Sequence, residues 1–366
     1  MALPDTAPAE RSHNIDLMKC IAIFLVTTYH AFWLEHDFVL DPSFVSYSRY
    51  LFKTVLSACV PLFFFINGYL LFGRPLDMSK HIKRTVKYVL IVLFWAPVLL
   101  LLFFAVSPEE HTVSEFFKAL VDLDHDWSIR HFWYLGALVC IYIFFPALKA
   151  LFDTNIKAFI LFVAVCGFFT FGIPLLSQLS EFISILTGAK TVSLDKEIVE
   201  MFDPFRGIYG FSFVYFCVGG LVNRYEDRIL SVPVRKRNFY ACFGLIAGCL
   251  WLFTIGVYKS NYILSDIWNP VWNGYETVPT FCITMSIYIL CLNFKKDSRV
   301  VNTAAKNTLG IYILNYVLIR ISKETVMSWR FMDNIPAHLV FSALLIICYL
   351  GMVFVLKKIP LIKNLI

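Results

Sequence analysis

Residues 89–106 read VLIVLFWAPVLLLLFFAV, a run without a charged side chain. A helix that crosses the hydrocarbon core of a bilayer needs about 20 predominantly apolar residues, and this run is close to that length. It follows a cluster of basic residues, Lys80, Lys83, Arg84 and Lys87. A basic cluster followed by a long apolar run is typical of a helix that enters a membrane from the cytoplasm. This stretch therefore predicts an integral membrane protein.

The composition of the whole chain agrees with this interpretation. Of the 366 residues, 59% are hydrophobic and 16% are charged, and the mean hydropathy is +0.70. Soluble domains carry about 25% charged residues, so a soluble fold is excluded. The formal net charge is +6. The Lys and Arg residues lie in short clusters between apolar runs, which favours a role in membrane orientation over nucleic-acid binding.

The sequence predicts an all-α integral membrane fold with about ten transmembrane helices. We find no internal repeat and no linker, so residues 15–356 are expected to form a single polytopic membrane domain. Residues 1–14 would be a cytoplasmic N-terminal tail and residues 357–366 a basic cytoplasmic C-terminal tail. The predicted spans are 15–34, 51–73, 85–106, 131–151, 156–176, 204–223, 238–258, 271–292, 308–322 and 335–356.

The distribution of basic residues predicts the orientation. With a cytoplasmic N-terminus, about 20 Lys and Arg residues fall on the cytoplasmic side and about nine on the other, as the positive-inside rule requires. Both termini are therefore expected in the cytoplasm. One outer connection, residues 115–123, has the pattern of a short amphipathic helix at the membrane interface.

The first predicted helix carries two ionisable residues, Lys19 and His30. Eleven residues of α-helix bring them within about 20° of one face and about 16 Å apart along the axis. Ionisable residues inside membrane spans usually face the bundle interior and mark functional sites. The alternative is that Lys19 extends to lipid headgroups and that His30 is an interfacial side chain with a backbone partner.

Arg84 and Lys87 are neighbours at the cytoplasmic end of the third predicted span. Arg and Lys are the usual protein partners of phosphate groups, so this pair is a candidate phosphate site. The alternative interpretation is a plain membrane anchor of the positive-inside kind.

A further group of polar and aromatic residues falls on the predicted outer side, at the level of His30. Such residues are typical of an interfacial aromatic belt, but the ionisable members favour a polar pocket inside the bundle. The candidate pocket residues are His131, Trp133, Tyr134, Asp203, Arg206, Glu276 and Arg320.

Several kinds of chemistry lack support in the sequence. Glycine-rich nucleotide loops, the HExxH zinc motif and the GxSxG serine elbow do not occur. The histidines lack the mutual spacing of metal ligands, so no metal site and no bound cofactor are expected.

Five motifs, in order along the chain, resemble those of the membrane acyltransferase family called acyltransferase-3. Residues 14–22, NIDLMKCIA, followed by His30, are similar to the family's first helix, in which Leu-Asp-x-Leu-Arg precedes a His at the same spacing. Residues 60–69, VPLFFFINGY, resemble its Phe-Phe-x-x-Ser-Gly-Tyr/Phe segment, and Arg84-x-x-Lys87 its Arg-x-x-Arg pair. Residues 131–135, HFWYL, and 309–315, LGIYILN, complete the series.

The chain departs from the family pattern at four positions. Lys19 and Lys87 stand in place of arginines, Asn67 in place of Ser, and Asn315 where many relatives carry His. Lysine keeps the charge but loses the bidentate fork of arginine. Among members of the family, the chain is most similar to the stand-alone enterobacterial common antigen O-acetyltransferase type.

The resemblance implies an O-acetyltransferase of the bacterial cytoplasmic (inner) membrane. It would move an acetyl group from cytoplasmic acetyl-CoA, a donor substrate, to a hydroxyl group of a surface polysaccharide or lipid-linked glycan. Lys19, Arg84 and Lys87 would hold the CoA. His30 would act as general base or as nucleophile, and the acceptor pocket would contain Asn67, His131, Trp133, Tyr134, Arg206 and Glu276.

Two other functions remain compatible with the residues. Buried ionisable groups also line the pathways of transporters and flippases, which would move a glycan or lipid without acyl-transfer chemistry. The absence of an inverted repeat speaks against that class. A purely structural scaffold would predict that His30 can be replaced without effect.

Overall fold

The computed structural model describes residues 12–31, 38–106, 112–121, 129–188, 209–264, 266–327 and 334–366, the side chains of 323–327 excepted. The regular structure of these residues is entirely helical. The α-helices are α1 His13–Ala31, α2 Phe44–Val55, α3 Cys59–Phe72, α4 Met78–Val106, α5 Val113–Val121, α6 Trp133–Thr154, α7 Ile156–Gly167, α8 Ile173–Thr187, α9 Gly210–Arg224, α10 Glu226–Leu230, α11 Val234–Tyr262, α12 Val278–Cys291, α13 Arg299–Lys306, α14 Thr308–Met327 and α15 Ile335–Leu356.

Within these described ranges, six helices are long and apolar enough to cross a membrane. The other predicted spans contain shorter or more polar helices, namely α1, α9, α12 and α14. The helical membrane class is thus confirmed, whereas the count of ten and the cytoplasmic termini remain predictions. The six are Phe44–Phe72 (α2 and α3), Met78–Val106 (α4), Arg130–Thr154 (with α6), Ile156–Thr187 (α7 and α8), Val234–Tyr262 (α11) and Ile335–Leu356 (α15).

Several predicted boundaries change, among them the following two. The predicted span 271–292 becomes helical only at Val278, because the Asn269 side chain accepts hydrogen bonds from the backbone of Val271 and Trp272 and holds a turn there. Thr277 then caps α12 by accepting from the backbone N–H of Thr280. The predicted amphipathic helix 115–123 is present as α5, displaced by two residues towards the N-terminus.

Helix α1 lies in the middle of the bundle, where it contacts α3, α12, α14 and α15. Met18, Ala22 and Thr27 are fully buried. The outward faces are apolar instead, with Leu93 66% exposed on α4 and Ile347 64% exposed on α15. Exposed apolar faces around a bundle that contains polar side chains are what a lipid environment requires.

A buried ion pair joins α8 to α11. Lys259 Nζ lies 3.0 Å from Glu181 Oε1, and Glu181 is only 4% exposed. The same ammonium group lies 5.6 Å from the centroid of the Trp268 ring. The pair therefore connects α8 directly to α11.

Removing one member of this pair is expected to destabilise the bundle. Lys259→Met leaves the Glu181 carboxylate buried without its cation, at a cost of up to about 3 kcal/mol. The double variant Glu181→Gln/Lys259→Met is expected to recover most of that loss, because neither charge remains. Melting temperatures of the three detergent-purified proteins provide the measurement. Equal destabilisation of the single and double variants would contradict this assignment.

Candidate active site

A cavity of about 260 Å³ lies between α1, α3, α4, α6 and α14. It gathers four of the residues predicted for the site: Lys19, Asn67, Arg84 and Tyr134. Arg74, Tyr88, Tyr142, Thr308 and Tyr312 add further polar groups to its wall.

One end of the cavity is positively charged. Lys19, Arg74 and Arg84 line it, and both arginines are exposed; we call these three residues the cationic mouth. Lys19 lies 3.3 Å from Asp16, its neighbour on α1. The lining residues that the structure describes include no carboxylate. The cationic mouth therefore suits an anionic ligand such as a phosphate group.

Lys87, predicted as a partner of Arg84, does not line the cavity. It lies near Lys357, which donates a hydrogen bond to Asn307 Oδ1. Burial lowers the pKa of Lys357, and the charge of Lys87 lowers it further. Three residues of α-helix turn a side chain by about 60° from its neighbour, so Arg84 faces the cavity while Lys87 faces the end of α15.

The inner wall of the cavity is organised around Asn67 on α3. Its Nδ2 donates to Phe63 O at 2.9 Å and to the Tyr134 hydroxyl group at 3.2 Å. Its Oδ1 accepts from the Tyr142 hydroxyl group at 3.1 Å. Tyr134 and Tyr142 lie two turns apart on one face of α6, which is why one amide group can hold both.

His30 does not line the cavity. The His30 ring meets the ring of Tyr316 edge-on, with centroids 5.6 Å apart. Tyr316 stacks on His131 at 6.3 Å, and His131 in turn contacts Tyr312, a cavity residue, at 5.7 Å. We call Tyr312, His131 and Tyr316 the aromatic layer. It lies between the cavity and His30.

Hydrogen bonds to both the ring and the backbone of His131 hold this residue in place. Its Nε2 lies 3.3 Å from Ile313 O, and its backbone carbonyl group accepts a hydrogen bond from the Tyr312 hydroxyl group. These contacts join the start of α6 to the middle of α14. The structure thus brings the predicted residues His30 and His131 into contact with one tyrosine ring, that of Tyr316.

Trp133 has aromatic surroundings. Its ring lies 4.9 Å from Tyr209, 5.5 Å from Trp272 and 6.2 Å from Tyr275. The guanidinium group of Arg130 lies 5.2 Å from the Trp272 ring centroid. Aromatic faces with an adjacent cation are suited to contact a large organic ligand.

The other predicted outer residues are dispersed. Glu276 is exposed and lies in the connection before α12, outside the helix in which it was predicted. Arg320 lies 5.3 Å from the Phe103 ring centroid. Asp203 and Arg206 fall outside the described residues.

Apart from Tyr134, sequence reasoning missed the tyrosines of the site. Tyr142 follows Tyr134 by eight residues, and Tyr316 follows Tyr312 by four, both of which are same-face spacings in an α-helix. A search for tyrosine pairs at these spacings in apolar helices would have found them. Arg74 left no comparable signal, because it lies in a connection. Among the described residues, no group of three His, Cys, Asp or Glu side chains is arranged to hold a metal ion.

Comparison with known proteins agrees with the sequence motifs. A family model described as an acyltransferase domain, acyltransferase-3, matches residues 12–357. The chain is also 24% identical over 326 residues to an amino-acid racemase from Enterococcus faecalis, an alignment that covers 84% of this chain and 41% of the racemase. It thus spans less than half of that relative's length. No solved structure matches the chain. Because the family model covers nearly all of the chain, this protein belongs to the acyltransferase-3 family of membrane acyltransferases.

Proposed function

We propose that this membrane acyltransferase takes an acetyl group from cytoplasmic acetyl-CoA. The acceptor would be a hydroxyl group of a surface polysaccharide or of its lipid-linked precursor, in the bacterial cytoplasmic membrane. The observation that carries this proposal is the cavity, whose cationic mouth continues inward to the hydroxyl groups held by Asn67. Its charge suits the phosphates of CoA, and its interior suits the uncharged pantetheine arm and thioester.

The positions of the cations favour a long, anionic donor. Lys19 and Arg84 lie at the mouth, whereas Tyr134 lies further in, next to Tyr312 of the aromatic layer. A donor held at the mouth by its phosphates would place its acyl group near these tyrosines. A small free acid such as acetate would fill only part of the cavity.

His30 would act on the acceptor from the opposite side of the aromatic layer. As general base it takes the proton of the acceptor hydroxyl group, whose oxygen then adds to the thioester carbonyl carbon. The carbon–sulfur bond breaks, and the CoA thiolate leaves and receives the proton from His30. The acceptor is thus acetylated and CoA is released as the thiol. Movement of Tyr312 or Tyr316 is required for the two substrates to meet.

Two neighbouring cations on α4 provide the test. Arg84 lines the cavity, whereas Lys83 is exposed and does not. With purified protein, labelled acetyl-CoA and a membrane glycolipid extract, Arg84→Ala is expected to raise the KM for acetyl-CoA about 10- to 100-fold, because a charge-assisted hydrogen bond is lost. Lys83→Ala removes the same charge from the same helix and is expected to change KM by no more than about twofold.

Two results would contradict the proposal. The first is wild-type protein that is folded but neither releases CoA nor labels any component of the extract. The second is an equal rise of KM in both variants, which would show that the cavity has no particular role in donor binding.

A further inference from the structure

The orientation of the Asn67 amide group is fixed by its neighbours. The Phe63 carbonyl oxygen can only accept a hydrogen bond, so the amide atom 2.9 Å from it must be Nδ2. The oxygen Oδ1 then faces the Tyr142 hydroxyl group, which must be the donor of that bond. The second Nδ2 proton points to the Tyr134 oxygen, which must accept it.

The hydrogen bonds on the two sides of this amide group run in the same direction. Tyr142 donates to Oδ1 at 3.1 Å, and Nδ2 donates to Tyr134 at 3.2 Å. The protons of this chain therefore point from Tyr142 through Asn67 to Tyr134, along the wall of the cavity that Arg84 also lines. Hydrogen bonds aligned in this way polarise one another and strengthen the last donor.

The last donor of the chain is the Tyr134 hydroxyl group. Its oxygen accepts from Asn67, so its own proton is available for a different partner. No acceptor for that proton is found among the described residues, and Tyr134 forms part of the cavity wall. The Tyr134 and Tyr312 rings are 5.4 Å apart, which places this hydroxyl group at the end of the cavity next to the aromatic layer.

We propose that Tyr134 is a catalytic residue whose hydroxyl group donates a hydrogen bond to the carbonyl oxygen of the acyl thioester, and that Asn67 and Tyr142 are positioning residues for it. The proposal rests on the proposed function, because it requires an acyl group in the cavity. It moves Tyr134 from the acceptor pocket, where the sequence placed it, to the donor side.

The chemical consequence follows from the charge that develops during transfer. When the acceptor oxygen adds to the carbonyl carbon, the carbonyl oxygen gains negative charge. A hydrogen-bond donor that is already in position, in a site without bulk water, stabilises this charged oxygen more than it stabilises the thioester. Tyr134 keeps its proton throughout, and the proton of the acceptor travels through His30 to the leaving thiolate.

The first test replaces Tyr134 with phenylalanine, which removes the hydroxyl group and keeps the ring. The kcat for acetyl transfer is expected to fall about 10²-fold or more, as for the loss of an oxyanion donor, with little change in KM. Tyr349→Phe is the matched control, because Tyr349 is also buried and donates one hydrogen bond, to Asn315 O, but does not line the cavity. Equal kcat values in the two variants would overturn the proposal.

The positioning role has its own test. In Asn67→Asp, a carboxylate oxygen replaces Nδ2, so Tyr134 is expected to donate to the carboxylate instead of the substrate. The kcat is then expected to fall as far as in Tyr134→Phe, and the double variant is expected to be no slower than either single variant. Losses that multiply in the double variant would show that Asn67 and Tyr134 act independently.

A spectroscopic measurement distinguishes catalysis from structural support. In a His30→Asn background, the bound thioester is not consumed, and its ¹³C-labelled carbonyl group can be followed by isotope-edited infrared difference spectra. The carbonyl stretch is expected at lower frequency when Tyr134 is present than in His30→Asn/Tyr134→Phe. The same frequency in both proteins would overturn the proposed hydrogen bond. If the wild type transfers acetyl groups but this shift is absent, only the role of Tyr134 fails; if the wild type transfers none, the proposed function itself fails.

Discussion

Replacing His30 with asparagine is expected to lower the rate constant of acyl transfer by about 10²- to 10⁴-fold, the usual contribution of a general acid–base side chain. Asparagine keeps a polar group beside Tyr316 but cannot take up the proton of the acceptor hydroxyl group. Because His30 does not line the cavity, the KM for acetyl-CoA is expected to stay near the wild-type value. Single-turnover release of CoA, measured with label transfer to the glycolipid extract, separates the two quantities.

His338→Asn is the control for this variant. His338 is also a histidine within a predicted membrane span, is 2% exposed and lies on α15. It does not line the cavity, so its replacement is expected to leave the transfer rate constant unchanged. Equal rate constants in His30→Asn and the wild type, with both proteins folded, would remove His30 from the mechanism and revive the scaffold and transporter interpretations.

The largest effect on folding is expected from Gly68→Ala. A methyl group at position 68 would lie 1.7 Å from the backbone oxygen of Phe216, and one at Gly219 would lie 2.1 Å from the backbone oxygen of Phe65. The two helices α3 and α9 thus approach each other backbone to backbone, and neither atom belongs to a flexible side chain. To accommodate the methyl group the helices must separate, at a cost at or above the usual range of about 1–3 kcal/mol for overpacking.

Gly68→Ala is accordingly expected to yield aggregated or unstable protein, seen as loss of the monodisperse peak in size-exclusion chromatography and a lower melting temperature. Gly351→Ala is the control, because no atom lies within 4 Å of the added methyl group. Alanine is favoured over glycine within a helix by about 0.5–1 kcal/mol, so this control is expected to be at least as stable as the wild type. A Gly68→Ala protein as stable as this control would contradict the close packing of α3 on α9.

The requirement at Gly68 also bears on the site, because Asn67 is its immediate neighbour. The close approach of α3 to α9 also fixes the position of Asn67, which meets Tyr134 and Tyr142. A separation of the helices would therefore displace the amide group on which both hydroxyl groups depend. Gly68 thus permits the close helix packing, and its neighbour Asn67 holds the two hydroxyl groups.

The sequence predicted the positions of the helices along the chain better than it predicted the contacts between them. The apolar run 89–106 identified a membrane helix because length and hydropathy are local properties. The spacing of Lys19 and His30 placed them on one face of α1, but it gave no information on what α14 places against that face. The rings of Tyr312 and Tyr316, which come from a segment almost 300 residues later, separate His30 from the cavity wall that Lys19 reaches.

The same limit applies to Arg84 and Lys87. Sequence correctly grouped them as cations at one end of a helix, and their 60° separation around the axis was calculable. Which of them faces a cavity depends on the positions of α1, α6 and α15, and pairwise packing of that kind is not encoded in local periodicity. The family motifs supplied Asn67, Tyr134 and Arg84 as candidates, but only the folded bundle reveals the hydrogen bonds that connect Asn67 with Tyr134 and Tyr142.

The aromatic layer also has an electrical consequence. A bundle that was open to the donor from one side and to the acceptor from the other would be a pore, and each monovalent ion that crossed it would dissipate about 2.3 kcal/mol per 100 mV of membrane potential. The contacting rings of Tyr312, His131 and Tyr316 lie between the cavity and His30, and hydrogen bonds to backbone carbonyl groups hold Tyr312 and His131. On the proposed function, this layer closes the path between the donor and acceptor sides except while Tyr312 or Tyr316 moves, and we expect it to limit ion leakage through the bundle.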